Sequence, residues 1–564
     1  IPGVLKKGKT SVKTRGQHDE ELYEKSVDLV LTQEQKVALD IINGSLDERS
    51  HKVFLLHGIT ASGKTEVYIQ TICHALKGGL SSIVLVPEIS LTPQTVERFK
   101  SRFGESVAVM HSGLVGSKRF KEYMRIRNGE ARIVVGARSA IFSPVKALGL
   151  IVIDEEHETS YKQENVPRYH AREVAIKRAQ ITGSVVILGS ATPALESYSK
   201  AKKGDYQLIE LTKRVNDIPL PKVNIIDMRK ELYQKHYASI FSRPLKDRIE
   251  RVMAKGQQAI LFLNRRGFST FIYCRQCGIV IRCKNCDAVM VYHYSKKKLI
   301  CHYCNANLEP PQICPKCKSH YVKYFGMGTE RVESELHRYF PESNTERMDT
   351  DTTKKRGSHG KVLGRFKNHS INILVGTQMI AKGLDFPKVT LVGVVSADTT
   401  LNLPDFRASE RTFNLLTQVA GRAGRGDDGG EVIIQTYTPH HYAITAASQH
   451  DYNSFYNKEI GIRNELELPP FVNIIRVVFK SRKDQRAKDT ANSLTEVIKK
   501  AIKGVKILGP APAVVSRIRN KYIWNIVIKT GSQEEFARHL KDILKKFRKP
   551  SGVSIVVDVD PISV

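Results

Sequence analysis

Val53-Phe54-Leu55-Leu56-His57-Gly58-Ile59-Thr60-Ala61-Ser62-Gly63-Lys64-Thr65 is the stretch on which the reading of this chain turns. Its opening apolar run has the length and bulk of a buried strand. The spacing G-x-x-x-x-G-K-T follows at once, and a helical pattern runs from Glu66 to Leu76. Strand, glycine-rich loop and helix together are the context of a phosphate-binding loop. Gly58 and Gly63 let backbone N–H groups wrap around phosphates, and the helix N-terminus adds its positive dipole end. Lys64 is expected to reach the β- and γ-phosphates and Thr65 to hold Mg²⁺.

Downstream, Leu148 to Ile153 forms a second apolar strand that ends in Asp154-Glu155-Glu156-His157. A carboxylate at a strand end beside a phosphate loop supplies the second protein anchor for Mg²⁺, a role that falls to Asp154. Glu155 is the candidate base for the attacking water. In isolation these four residues read equally well as an exposed acidic cap; their position after the loop favours the catalytic reading. A second set of strands follows. Ala259–Leu263 leads into Asn264-Arg265-Arg266-Gly267, and Ile373–Gly376 leads into Thr377-Gln378 and Lys382-Gly383-Leu384-Asp385. Gln418-Val-Ala-Gly-Arg422-Ala-Gly-Arg425 then lies on a helix-to-turn pattern. A two-lobed hydrolase delivers cations from its second lobe to the γ-phosphate on its first, and one such arginine contributes ~10³–10⁵ in rate. Arg422 and Arg425 are the candidates, with Gln418 sensing phosphate or water. Apolar strands alternating with amphipathic helices predict parallel, doubly wound α/β sheets in both lobes.

Of nine cysteines, Cys73 stands alone and eight lie between Cys274 and Cys317. They form four C-x-x-C pairs, Cys274/Cys277, Cys283/Cys286, Cys301/Cys304 and Cys314/Cys317. Such clustering reads as metal binding in a reducing compartment and not as a disulfide framework. Eight thiolates fill two closed tetrahedral Zn²⁺ sites, which are structural and not catalytic; an iron–sulfur cluster is the minor alternative. Ala288–Tyr294 has strand character, Ser295–Lys298 turns and Leu299-Ile300 returns, so a hairpin brings the inner pairs together. The expected pairing is therefore nested: Cys283, Cys286, Cys301 and Cys304 on one ion, Cys274, Cys277, Cys314 and Cys317 on the other.

The chain has 564 residues, enough for about four domains. Lys and Arg exceed Asp and Glu by 89 − 57 = 32 charges. That excess attracts a polyanion, usually nucleic acid. No apolar run reaches the roughly 18 residues of a membrane span, and Ile1–Gly16 is basic without the apolar stretch of a signal peptide. Residues 1–28 read as the tail of an upstream domain. The expected divisions are a first lobe at 29–215, a second at 216–439 with a zinc insertion at 270–320, and a C-terminal α/β domain at 440–564. That domain reads β-α-β-like, with strands at Ile474–Phe479, Ile523–Ile528 and Val553–Val557 and helices at Arg486–Ile502 and Gln533–Lys545. Trp524, with Arg517, Arg519 and Lys521, either meets DNA or is simply a strand residue half in the core.

The D-E-E-H box with Gly189-Ser-Ala-Thr-Pro193 resembles the superfamily 2 helicases. By that resemblance Leu31-Thr32 and Gln35 look like the adenine-reading element. Glu88–Gln94, His111-Ser-Gly-Leu114 and Gly136-Ala-Arg-Ser139 match segments that line the DNA track. With a two-zinc insertion in the second lobe, the chain from about Leu31 to Val564 resembles the bacterial replication-restart helicases, the PriA or primosomal protein N′ family. Gly326–Glu330, Arg347-Met-Asp349, Asp351-Thr-Thr353, Leu468-Pro-Pro-Phe471 and Gly509-Pro-Ala-Pro512 support it. The family's N-terminal 3′-end-binding and winged-helix domains have no counterpart in this sequence, and Leu384 stands where His is expected. The resemblance implies an ATP-dependent 3′→5′ DNA helicase that recognises stalled or abandoned forks and initiates primosome assembly. Its implied partners are forked and single-stranded DNA, single-strand DNA-binding protein and the primosome and helicase-loading proteins, and its implied location is cytoplasmic, at the nucleoid. Aromatics alternating with cations in the loop Ser160–His170 read either as an ordinary packed loop or as base stacking by Tyr161 and Tyr169 with phosphates held by Lys162 and Arg168; the resemblance implies that this loop couples DNA contact to hydrolysis. The rival readings are a fork-remodelling duplex translocase and a fork-binding scaffold with a vestigial ATPase; motor motifs alone also serve RNA helicases.

A cationic track releases counterions when it binds. Affinity for single-stranded DNA, followed by fluorescence anisotropy, is expected to fall steeply between low and physiological salt; a flat response contradicts such a track.

Overall fold

The structure is a computed structural model. It describes residues 29–563 apart from 89–92, 216–218, 236–238, 264–270, 294–295, 325–327, 350–351, 353–357, 378–379, 381–385, 387, 425–428 and 503. Among the sequence motifs, Asn264–Gly267, Gln378, Lys382–Asp385 and Arg425 lie outside the described residues.

The first lobe is a seven-stranded sheet in the order Val107–Met110, Ile133–Gly136, Ser81–Leu85, Leu148–Asp154, Val185–Ser190, Val53–Gly58, Gln207–Leu211. Every pairing is parallel. Parallel sheets are covered on both faces, so their strands read as near-continuous apolar runs. Alternation along Val53–Gly58 shows why: Phe54 and Leu56 face a core with Ala38, Ile42 and Val67, whereas Val53 and Leu55 face one with Ala175 and Tyr198. The second lobe is a six-stranded parallel sheet ordered Thr345–Met348, Ile373–Gly376, Gln258–Leu263, Val389–Ser396, Glu431–Thr436, Lys222–Asp227. Between Leu263 and the helix Thr329–Tyr339 the chain leaves this sheet to make two small antiparallel ribbons, which hold the cysteines.

The terminal sheet is antiparallel, ordered Lys506–Ile518, Lys521–Thr530, Asn473–Ser481, Val553–Val559. Helices Asp484–Ala501 and Gln533–Lys546 connect its strands. The strand Lys506–Ile518 is absent from the sequence reading. Gly509, Pro510 and Pro512 argue against a central strand, but this one lies at the edge, where proline costs no ladder bond. Trp524 is 5% exposed, and its indole N–H donates to Asp484 Oδ1 at 2.8 Å. It is a core residue of this sheet; only Arg517, Arg519 and Lys521 remain exposed, around the adjoining hairpin turn.

Helices Tyr442–Ser448 and Tyr452–Glu465 share a core with the second-lobe helix Ala408–Ala420, not with the terminal sheet. They also meet the first lobe. Tyr198 packs edge-on against Tyr452 and Tyr456 with ring centroids 4.9 and 4.7 Å apart, and Tyr452 Oη donates to the Pro193 carbonyl at 2.8 Å. Behind these rings Arg463 is fully buried. It donates to Glu459 Oε1 at 2.9 Å and Glu410 Oε2 at 2.7 Å, and lies 3.9 Å from Glu196 of the first lobe. Glu410 also accepts from the Leu195 N–H at 3.1 Å. Burial alone would raise the Glu196 carboxyl, but Arg407, Arg463 and Arg172 hold it down to about 2.

Removing one member of such a cluster leaves the others buried and unpaired. Arg463→Ala is expected to cost ~3–5 kcal/mol, read as a lowered urea midpoint, and Arg463→Lys to recover little of it.

Candidate nucleotide and metal sites

The phosphate loop sits where the sequence places it, between Val53–Gly58 and the helix Lys64–Lys77. Gly63 has φ +78°, the left-handed region glycine tolerates. A Cβ there would stand 2.2 Å from Gln35 Nε2, so glycine is required on two counts. Lys64 Nζ donates to the carbonyls of Gly58 at 2.6 Å and Ile59 at 3.3 Å, folded back over the loop. Ser62 Oγ is buried without a hydrogen-bond partner among the described residues. Lys64 at the head of a helix, Thr65 in its first turn and the loop's backbone form a cradle that suits a nucleotide triphosphate.

Gln35 is held by hydrogen bonds within the chain. Thr32 and Gln35 form a capping box: Gln35 N–H donates to Thr32 Oγ1 at 3.3 Å, and Thr32 N–H donates to Gln35 Oε1 at 2.8 Å. Gln35 Nε2 donates to the Ser62 carbonyl at 2.8 Å, and the residue is 3% exposed. Both ends of its amide therefore fasten the first helix to the phosphate loop. Leu31 beside it is half-buried.

Asp154 ends its strand next to the loop. Burial raises its carboxyl to about 6, with Glu155 adding to the rise and Lys64 opposing it. Tyr68 Oη donates to Asp154 Oδ1 at 3.3 Å, over the face of Gly189, where a Cβ would fall 1.6 Å from that hydroxyl oxygen. Glu155 has φ +48°, strained for a residue with a side chain, and its Oε2 has no hydrogen-bond partner among the described residues. Strain and an unsatisfied carboxylate oxygen beside the loop suit a group that handles a water molecule.

The other half of the box does work the sequence reading did not assign. Glu156 is fully buried and accepts from the Ala194 N–H at 2.7 Å, Ser197 Oγ at 2.8 Å and Arg172 Nη1 at 2.8 Å, pinning the start of the helix Leu195–Lys202 that follows Gly189–Pro193. His157 Nδ1 lies 2.7 Å from Ser190 Oγ, and its Nε2 lies 2.9 Å from Gln418 Nε2 across the cleft between the lobes. The signal for both was present in the third and fourth letters of D-E-E-H and the serine of G-S-A-T-P. At the end of the same second-lobe helix, a Cβ on Gly421 would stand 2.7 Å from Thr60 Cγ2. Arg422, half-buried, follows directly, so it enters the turn that abuts the phosphate loop.

The loop Ser160–His170 departs from its expected form. Tyr161 is fully buried, and its hydroxyl donates to the carbonyls of Asp154 at 2.6 Å and Leu85 at 3.0 Å. A ring so placed stacks on no base. Tyr169 is half-buried, edge-on to Phe142 with centroids 5.0 Å apart. Lys162 is 6% exposed and donates to the Val559 carbonyl, while Arg168 Nη1 donates to the Val557 carbonyl at 3.1 Å. The two cations are thus held by the terminal strand, and only Glu164–Pro167 at the tip is exposed. Arg138 Nη1 donates to the carbonyls of Ser160 at 2.9 Å and Lys162 at 2.7 Å. Beside them lies a recess of about 200 Å³ walled by Glu88, Ser112, Arg138, Ser139, Ser160 and Tyr161.

The eight cysteine sulfurs gather in two groups, 274/277/314/317 and 283/286/301/304, each within 4.8 Å of one another. The Sγ–Sγ separations are 3.6 Å for Cys274–Cys317, Cys277–Cys314 and Cys283–Cys304. Tetrahedral Zn–S bonds of about 2.3 Å place sulfurs about 3.8 Å apart, so both sets fit Zn²⁺. The hairpin Val291–His293 with Lys298–Ile300 forms the inner group, and Ile272–Cys274 pairing with Val322–Tyr324 closes the outer one.

A phosphate loop facing a second parallel-sheet lobe, with contacts across the cleft, defines a two-lobed helicase motor. Residues 32–201 match the DEAD/DEAH box helicase family and 316–427 the helicase conserved C-terminal domain. Residues 283–307 match the PriA DNA helicase Cys-rich region and 464–562 the primosomal protein N C-terminal domain. The replication restart protein PriA of Bacillus subtilis is 49% identical over 99% of this chain and 70% of its own length. That of Synechocystis is 45% identical over 95% and 65%, and that of Haemophilus influenzae 39% over 94% and 72%. The chain belongs to the PriA family of replication-restart helicases. Among solved structures, RecG bound to a three-way DNA junction is 16% identical with TM-score 0.45, covering 78% of this chain and 50% of its own. A variant of S. cerevisiae Dbp5 bound to RNA and ADP BeF3 is 13% identical with TM-score 0.43, covering 78% of this chain and 97% of its own. No helix among the described residues is long and apolar enough to cross a membrane.

Elemental analysis is expected to find two zinc ions per chain. Cys283→Ser and Cys301→Ser should each release one ion to a chelator and leave the same other ion behind. Cys274→Ser should release that other ion; loss of a common ion by Cys274→Ser and Cys283→Ser rejects the nested pairing.

Proposed function

We propose that this chain is an ATP-driven 3′→5′ DNA helicase that acts at stalled or abandoned replication forks and starts primosome assembly. The observation that carries the motor reading is the contact of Gln418 with His157, which joins the second lobe to the residue two beyond Glu155. In this reading Gly58, Gly63 and Lys64 bind the phosphates, with Leu31 and Gln35 beside the base. Thr65 and Asp154 hold Mg²⁺, which when bound neutralises charge on the β- and γ-phosphates. Glu155 takes a proton from the attacking water, and Gln418 reports the state of that site to the second lobe. Arg422 and Arg425 meet the γ-phosphate. The set of Lys64, Asp154, Glu155 and Arg422 favours a working ATPase over a scaffold.

Cys274, Cys277, Cys314 and Cys317 hold one structural Zn²⁺, and Cys283, Cys286, Cys301 and Cys304 the other. DNA, forked and single-stranded, is the substrate. Single-strand DNA-binding protein and the primosome and helicase-loading proteins are the proposed partners, in the cytoplasm at the nucleoid. We propose 29–215 and 216–439 as the lobes, with the zinc insertion at 270–320 inside the second. The helices of 442–465 pack on the second lobe, which supports placing the start of the terminal domain after them.

Lys64→Ala and Glu155→Gln are expected to bring ATP turnover below about a tenth of the parent while leaving DNA affinity within a few-fold. Stimulation of the parent by forked DNA, single-stranded DNA and RNA, compared side by side, tests the substrate. Stimulation by RNA equal to that by fork DNA overturns the DNA assignment.

A further inference from the structure

The end of the chain touches both motor lobes through one row of acceptors. Lys162 Nζ, from the loop after the D-E-E-H box, lies 3.4 Å from Asp558 Oδ1, with both side chains about 5% exposed. Arg168 Nε lies 4.0 Å from the same oxygen, and Arg476 of the terminal sheet lies 3.6 Å from Asp558 Oδ2. Lys162 and Arg168 also bond the carbonyls on either side, those of Val559 and Val557. A few residues on, the Pro561 carbonyl accepts from Arg407 Nη1 at 3.2 Å, and the Ile562 carbonyl accepts from Arg411 Nη2. Arg407 and Arg411 open the helix that carries Gln418 at its far end. Arg407 also donates to Glu196 of the first lobe at 2.9 Å.

Lys162, 5% exposed, cannot stay desolvated without this carboxylate, whereas Arg168 and Arg476 keep 22% and 23% of their side chains exposed. Asp558, with the Val559 carbonyl, therefore fixes the place of Lys162, and Lys162 is bonded through the backbone to Tyr161. The Tyr161 hydroxyl in turn is donated to the Asp154 carbonyl at 2.6 Å. We propose that Asp558 is a positioning residue for ATP hydrolysis, acting from the terminal domain through Lys162 and Tyr161 on the strand end that presents Asp154 and Glu155. The proposal rests on the ATPase reading above. It gives the terminal strand a task in the motor: whatever shifts that strand shifts the hydrolytic carboxylates.

Neutralising Asp558 leaves Lys162, Arg168 and Arg476 facing one another. Lys162 then moves toward water and draws the loop with it. A displacement of about an ångström at a reacting group costs up to ~10²-fold in rate. The nucleotide cradle of Gly58–Thr65 makes none of these contacts, so ATP affinity is spared.

The experiment measures kcat and KM for ATP, with and without saturating single-stranded DNA, together with a melting curve, for the 564-residue chain and its variants. Asp558→Asn is expected to lower kcat on the order of tenfold and hold KM for ATP within about twofold. Asp558→Glu should restore most of kcat, because the charge is kept. Lys162→Met, which removes the cation without leaving a new buried charge on its own side chain, should reproduce the kcat loss even if Asp558→Asn folds poorly. A kcat equal to the parent in folded Asp558→Asn or Lys162→Met overturns the proposal. So does a loss that Asp558→Glu does not recover, or one that raises KM in proportion. A parent chain without ATP turnover instead overturns the motor reading itself, which keeps the two failures apart.

Discussion

A guanidinium taken wholly out of water needs carboxylates or carbonyls to accept from its N–H groups, or its burial is strongly unfavourable. Arg463 is such a group, and its partners come from three helices in two lobes. Glu459 is one turn away, Glu410 lies on the helix Ala408–Ala420 and Glu196 on the first-lobe helix Leu195–Lys202. Glu410 is tied again to the backbone of Leu195. These bonds have direction, unlike the ring packing of Tyr198, Tyr452 and Tyr456 around them, so they fix the rotation of one lobe on the other. The consequence appears at the far end of Ala408–Ala420. Gln418 reaches His157 there, and Gly421 lies close enough to Thr60 to forbid a side chain. The geometry of the nucleotide cleft thus depends on a charge cluster that touches no nucleotide.

Local patterns were legible in the sequence and distant partners were not. The strand, loop and helix around Gly58–Thr65 are read from residues adjacent in the chain, and so are the strand end at Asp154 and the hairpin between Cys286 and Cys301. Gln35 illustrates the first kind: T-x-x-Q is a capping box as well as part of a nucleotide-binding signature, and the local pattern carries both meanings. Tyr161, Lys162 and Arg168 illustrate the other. A run of aromatics and cations suggests an open nucleic-acid surface, but Lys162 finds its carbonyl partner 397 residues away and Arg168 one 389 away. No window of the sequence contains both ends of such a bond. The edge strand Lys506–Ile518 failed for a simpler reason, since its prolines are compatible with a sheet only at a border that the sequence does not reveal.

The zinc unit is joined to its surroundings by shape more than by charge. A Cβ on Gly278 would fall 2.3 Å from the Tyr437 carbonyl, and Tyr273 packs edge-on to Tyr437 with centroids 5.0 Å apart. On its other side His302 Nδ1 lies 2.7 Å from the Pro512 carbonyl of the terminal sheet. Burial pushes the His302 imidazole down to about 4, so it meets that carbonyl as a neutral donor. The ribbons therefore stand between the second lobe and the terminal domain, which gives the two cysteine clusters a reason to lie inside a motor.

The strand Val553–Val559 pairs with Asn473–Ser481 along one side only. Its other side would offer a row of unpaired carbonyls to any extended chain, the usual route by which sheets join edge to edge and aggregate. Here the carbonyls of Val557 and Val559 are capped by Arg168 and Lys162. The first lobe thus shields a border of the terminal sheet, and two long cations do it without adding a strand. Cut away from the motor, that sheet loses its cover, and its solubility as a separate piece would depend on how well Asp558 and Asp560 keep other chains at a distance.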